Sequence, residues 1–351
     1  MNQIKSLNGL KFFAALIVVL YHVDFFFKIP CPFRHGYLGV ELFFVIAGFF
    51  LAKTYEKMIS SPAQKRTPSQ LCKEYFFHRF KRLWPEYFFA AVISFGLMSI
   101  FSDVNIQPFF LNIFMMTGWG GIPVFFRAFW FISVLFWCGC LLFNLLVLEK
   151  ERAKTIIFPV IAVLCLFCLV NSENYFSGAM DLSFGYLSKG IVRGLLGLII
   201  GIYTYWGCEM LRYCKTKWNP KFVSVSLFLM EVISVVGLGH IFIFQRKFSI
   251  NLFNVYFYIS FLIGLLYFQK EKLLRFLSWK IWIPFATISY SLYLVHSVIL
   301  MVFQKYFTAW TKTHLAWGFT LIALSSVIFA FFFYYTQLYL RKALKKLMFK
   351  K

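Results

Sequence analysis

The sequence predicts an all-α, polytopic transmembrane bundle of about ten helices with both termini in the cytoplasm. Composition is the first reason: 61% of the 351 residues are hydrophobic and 22% aromatic, and mean hydropathy is +0.74. A soluble domain is nearer half apolar and could not hide 49 phenylalanines in one core, so lipid is the fitting solvent. The second reason is that apolar segments recur from end to end, with no polar stretch long enough to fold separately. Residues 1–351 therefore read as one membrane domain without a soluble extension. The third is the placement of charge, taken up below.

A bilayer core needs about 20 residues of helix. Segments of that kind cover 7–27, 37–53, 83–101, 128–147, 155–170, 188–206, 222–244, 251–268, 281–303 and 317–340. In the first, Lys5 precedes an apolar run as in a signal peptide. The run meets Tyr21, His22 and Asp24 rather than a small-x-small cleavage site, so it is read as an uncleaved helix. The stretch 108–124 is apolar but broken by Pro108, Gly118, Gly120, Gly121 and Pro123, and is expected to be re-entrant or interfacial. Residues 59–70 form a polar cytoplasmic linker. No internal repeat is visible, which disfavours transporter folds built from duplicated halves.

The formal net charge of +23 lies in short loops between apolar runs, the pattern of a topology signal and not of a nucleic-acid surface. With the amino terminus inside, 26 of the 36 Lys and Arg fall on the cytoplasmic side of this ten-helix scheme. The eight cysteines are scattered, and Cys165 and Cys168 are set in hydrocarbon, so neither metal site nor disulfide framework is implied.

Ionisable groups at membrane depth are costly and mark candidate sites. Lys11 and His22 are eleven residues apart on the first helix, which is about 1100° of rotation and about 16 Å of rise, so they share one face. Glu41 enters the second helix at a depth similar to that of His22, which suggests an imidazole general base oriented by a carboxylate. Arg79 and Arg82 are an i, i+3 pair able to grip phosphates, or to anchor on anionic lipid. On the ninth span Ser289, Tyr293 and His296 recur as a polar stripe, fit either to line a channel or to bond a neighbouring helix.

Together these motifs resemble acyltransferase family 3, membrane proteins that O-acylate bacterial surface glycans and some small molecules. Lys11 and His22 match the family's basic-x10-His signature. Gly36-x-x-Gly39-Val40-Glu41-Leu42-Phe43-Phe44-Val45-Ile46-Ala47-Gly48-Phe49 looks like its second-helix motif, and Arg79-x-x-Arg82-x-x-Pro85 its cytoplasmic Arg pair. Trp130-Phe131-Ile132-Ser133-Val134, Arg193-Gly194 and Ser289-Tyr290-Ser291-Leu292-Tyr293-Leu294-Val295-His296 are similar to its later landmarks. Ala47 departs from the family's usual Ser, and Leu135 stands where many members carry Glu.

The resemblance implies a multi-pass enzyme of the bacterial cytoplasmic membrane with acyl-CoA as donor substrate, acetyl-CoA first and succinyl as the alternative, and no tightly bound cofactor or metal. Lys11, Arg79 and Arg82 would hold the donor phosphates, and His22 with Glu41 would catalyse. Gly36, Gly39, Trp130, Arg193, Ser289, Tyr293 and His296 would line the channel or acceptor site. The expected partners are a glycan or other membrane-associated hydroxyl acceptor and membrane lipid, with no nucleic acid. The rival expectation is a transporter or flippase of a lipid-linked polysaccharide, with His22, Glu41 and His296 relaying protons.

Overall fold

Within hydrocarbon every backbone N–H and C=O must find its partner inside the protein, and long apolar segments meet that demand as helices. The computed structural model describes residues 5–29, 32–60, 66–101, 106–117, 128–178, 182–183, 187–214, 219–245 and 247–348. Its helices are α1 (Ser6–Phe27), α2 (Gly39–Ile59), α3 (Pro68–Phe101), α4 (Gln107–Ile113), α5 (Phe129–Arg152), α6 (Phe158–Val170), α7 (Lys189–Cys214), α8 (Pro220–Gly239), α9 (Asn254–Phe268), α10 (Trp282–Thr313) and α11 (Leu315–Met348). A two-residue ladder, Leu182–Ser183 against Leu187–Ser188, is the sheet among the described residues.

Among those residues nine helical stretches are long and apolar enough to cross a membrane. One runs continuously from Phe129 to Val170 and covers two of the expected spans. At 1.5 Å per residue its 42 residues would extend about 63 Å if straight, twice the hydrocarbon thickness. It is not straight: Glu149 leaves the helical region at φ −146°, ψ 61°, and a π turn over Ala153–Ile157 follows. Lys150 at this bend pairs with Glu56 near the end of α2 at 3.2 Å. Cys165 then returns within electrostatic reach of Cys138. The rod is a hairpin of two passes, giving ten among the described residues.

Pairing direction supports that count. Phe12 meets Phe285, His22 meets His296 and Gln304 donates to the Phe26 carbonyl, so α1 and α10 run parallel. Glu41 meets Arg193, and Gly197 and Gly201 meet Phe44 and Val45, so α2 and α7 also run parallel. Both relations require an even difference in crossing number, which holds only if 129–170 folds back.

Two sequence expectations are amended. Helix α3 begins at Pro68, not near Leu83, so the Arg79–Arg82 pair lies within the helix, which continues through Pro85. Within 108–124 the described part is the seven-residue α4 and its exit turn, too short to span; residues 118–124 lie outside the described residues.

Close packing of α2 on α7 sets the centre of the bundle. A Cβ at Gly48 would stand 2.0 Å from the Leu198 carbonyl oxygen, and one at Gly201 would stand 2.1 Å from that of Val45. Small residues let helix backbones approach where apolar burial gives no drive. Outward, Phe222, Val225, Leu229, Ile233 and Val236 of α8 are exposed at helical spacing, a face suited to lipid.

Candidate active site

The site is assembled on α1, which carries one candidate group near each end. Near its amino-terminal end Lys11 lies 5.8 Å above the Phe50 ring and within electrostatic reach of Arg82, which in turn feels Arg79. Arg82 thus has a cation on either side, and Glu86, one turn on along α3, also lies within its electrostatic reach. None of these cations joins the ion pairs formed among the described residues. Arg79 is held over Tyr75 at 6.0 Å, and its buried Nε has no hydrogen-bond partner. An orphaned buried guanidinium nitrogen is costly unless an acceptor reaches it.

Toward its carboxy-terminal end His22 sits 2.8 Å by Nδ1 from the Val18 carbonyl, one turn back on α1. The same nitrogen lies 3.3 Å from His296 Nε2 of α10, with the two rings 4.9 Å apart. His296 is fully buried and anchored through Nδ1 to the Tyr293 carbonyl at 2.7 Å. Tyr293 in turn packs on Phe131 at 4.9 Å and Phe43 at 6.5 Å, an apolar wall beside the imidazoles.

The expected carboxylate behind His22 is elsewhere. Glu41 is fully buried, and its Oε1 accepts from Arg193 at 2.6 Å while Oε2 accepts from the Tyr256 hydroxyl at 2.6 Å. Arg193 also donates to the Phe176 and Tyr37 carbonyls at 2.8 and 3.5 Å and lies over Trp130 at 5.2 Å. This is a buried pair with its remaining donors satisfied, the condition under which such a pair is tolerated. Azimuth turns Glu41 away from α1. Gly36 and Gly39 press against α1, where Cβ atoms would lie 2.8 Å from the Ile17 carbonyl oxygen and 3.0 Å from that of Ala14. Glu41 follows Gly39 by two residues, about 200° around α2, and so faces α7 and α9.

The other expected residues are also placed. Gly36 and Gly39 sit where α2 and the turn before it pack on α1. Ser289 donates back to the Phe285 carbonyl at 2.9 Å, one turn earlier on α10.

The sequence pattern of a family described as "Acyltransferase domain" matches residues 4–335. The chain belongs to acyltransferase family 3. Peptidoglycan O-acetyltransferase OatA of Listeria monocytogenes is 28% identical over 92 residues, which are 26% of this chain and 13% of that protein. No solved structure matches.

In this family member several site-building residues escaped sequence reading. Ser291 of α10 donates to buried Glu86 of α3 at 2.8 Å, and Tyr290 donates to the Leu83 carbonyl at 3.0 Å beside Pro85. Glu86 had a readable signal, an acid four residues after Arg82 inside an apolar helix. Tyr256 had none, since nothing marks one tyrosine among 19 as the partner of a carboxylate.

Proposed function

We propose that this protein transfers an acyl group, acetyl, from cytoplasmic acyl-CoA to a hydroxyl of a glycan or other acceptor at the outer face.

 The reading rests on one observation: Lys11 of α1 lies beside the Arg79–Arg82 pair of α3, and His22, about 16 Å further along α1, lies against His296 of α10. Arg79, Arg82 and Lys11 suit the phosphates of a coenzyme A donor, whose extended arm would bring its thioester toward His22. The neutral imidazole takes the proton of the acceptor hydroxyl as that oxygen attacks the thioester carbonyl. The new C–O bond forms, the C–S bond breaks, and the imidazolium returns the proton to the departing thiolate. The acetyl donor and glycan acceptor are supported by the O-acetyltransferase named among the relatives, and the inner position of the donor site by the charge bias of the loops.

The test separates the two ends of α1. His22→Ala should keep acyl-CoA affinity near that of the parent and lose acylation of envelope glycan by about 10²–10⁴-fold. Arg79→Ala with Arg82→Ala removes charge-assisted bonds worth roughly 1.5–3 kcal/mol each, so the donor Kd should rise at least about a hundredfold. Mass spectrometry of cell-surface glycan reads the first variant, and coenzyme A binding to purified protein reads the second. Normally acylated but scarcer surface glycan in His22→Ala cells would replace the enzyme with a proton-coupled exporter.

A further inference from the structure

We infer that His296 is the positioning residue of the His22 base, filling with a second neutral imidazole the place expected for a carboxylate. This deepens the acyl-transfer reading and rests on it for its kinetic arm alone. A carbonyl oxygen only accepts hydrogen bonds. His22 Nδ1 lies 2.8 Å from the Val18 carbonyl, so Nδ1 bears the hydrogen and the neutral ring has its lone pair on Nε2. His296 Nδ1 lies 2.7 Å from the Tyr293 carbonyl, so it too bears a hydrogen, and His296 Nε2 is the acceptor. The 3.3 Å contact between them therefore has one direction: His22 Nδ1–H donates to His296 Nε2 and shares that hydrogen with Val18.

Two acceptors on one hydrogen hold His22 in a single tautomer and fix the plane of its ring. The atom left to receive a proton is Nε2. When it does so, the positive charge on the ring meets the His296 lone pair and the Val18 carbonyl dipole. His296 is itself fixed, being fully buried, bonded to its own helix and packed 5.8 Å from the Tyr293 ring. A neutral orienting group also avoids placing a second charge at membrane depth. Glu41, whose two oxygens are engaged by Arg193 and Tyr256, supports the bundle from another face.

Nitrogen-15 NMR of histidine-labelled protein in lipid bilayers at pH 8 reads the tautomer without substrate. The His22 signal, identified by its loss in His22→Gln, should show hydrogen on Nδ1 and a bare Nε2, and His296→Leu should shift the Nδ1 resonance. Enzyme assays supply the second arm. His296→Leu should lower kcat by about 10–100-fold with little change in donor KM, the usual penalty for losing an orienting partner. His296→Gln, whose side-chain oxygen can reach the place of Nε2, should recover most of that loss. Hydrogen on His22 Nε2, or a Leu variant as active as the parent, or a folded Gln variant no better than Leu, would overturn the assignment. A parent protein without acyl transfer would sink the proposed function instead and leave the tautomer result standing.

Discussion

Glu41 and Arg193 are bound so completely to each other and their neighbours that their loss should read first as instability. Glu41→Gln strands a guanidinium that is only 2% exposed, and breaking a buried pair from one side costs about 3–5 kcal/mol. Tyr256→Phe removes one bond to a charged acceptor, about 1.5–3 kcal/mol. Unfolding in detergent should rank the two in that order, with donor affinity of the folded fraction retained in both. His35, in the connection between α1 and α2, offers a pH test. Burial, with the nearby Arg34 charge second, pushes its imidazole down to about 4, and Tyr37 is its hydrogen-bond partner at 3.2 Å. Because the folded pKa lies below the ordinary 6.5, the folded state binds fewer protons between those values. The stabilisation is complete above pH 6.5 and is lost as pH falls toward 4. Melting curves from pH 7 to 4.5 should therefore drop more steeply in the parent than in His35→Gln; parallel curves would remove His35 as the cause.

At the scale of elements, the α2–α7 contact is the one that a single side chain should break. Gly48→Leu or Gly201→Leu would place carbon where backbone oxygen stands within about 2 Å, and overpacking of a tight interface costs about 1–3 kcal/mol or more. Either variant should reduce the yield of folded protein, whereas Gly207→Leu, with open space at its Cβ, should not. The helices themselves were legible because hydrocarbon thickness and apolar run length coincide. What the runs do not carry is rotation about each helix axis. Lys11 and His22 lie on the same helix, where 3.6 residues per turn fixes their angular relation. His22 and Glu41 lie on different helices, so their equal depth left the azimuth open, and the glycine face of Gly36 and Gly39 decided it. That face was visible in the sequence as a small-x-x-small step. The His22–His296 contact joins residues 274 apart, and no local pattern announces such a pairing.

At the scale of the whole molecule, orientation and crossing number are coupled, and three tags read both. Ser60 ends α2, Asn171 follows α6 and His314 lies between α10 and α11; all three are exposed. The charge bias puts Ser60 inside. From there α3, α5 and α6 are three crossings to Asn171, and α7 to α10 are four more to His314. Cysteines introduced at these sites in a cysteine-free background should be shielded at Ser60 and reactive at Asn171 and His314 toward an impermeant thiol reagent in intact cells. If 129–170 crossed only once, Asn171 and His314 would both be shielded along with Ser60. Inverted orientation would instead expose Ser60 alone. The parallel pairing of α1 with α10 makes the first pattern the only one in which Lys11 and the His22–His296 pair face opposite surfaces with the cations inward. Labelling at Ser60 would therefore put the phosphate-binding end of the site outside the cell, where cytoplasmic acyl-CoA is not supplied, and would remove the proposed donor.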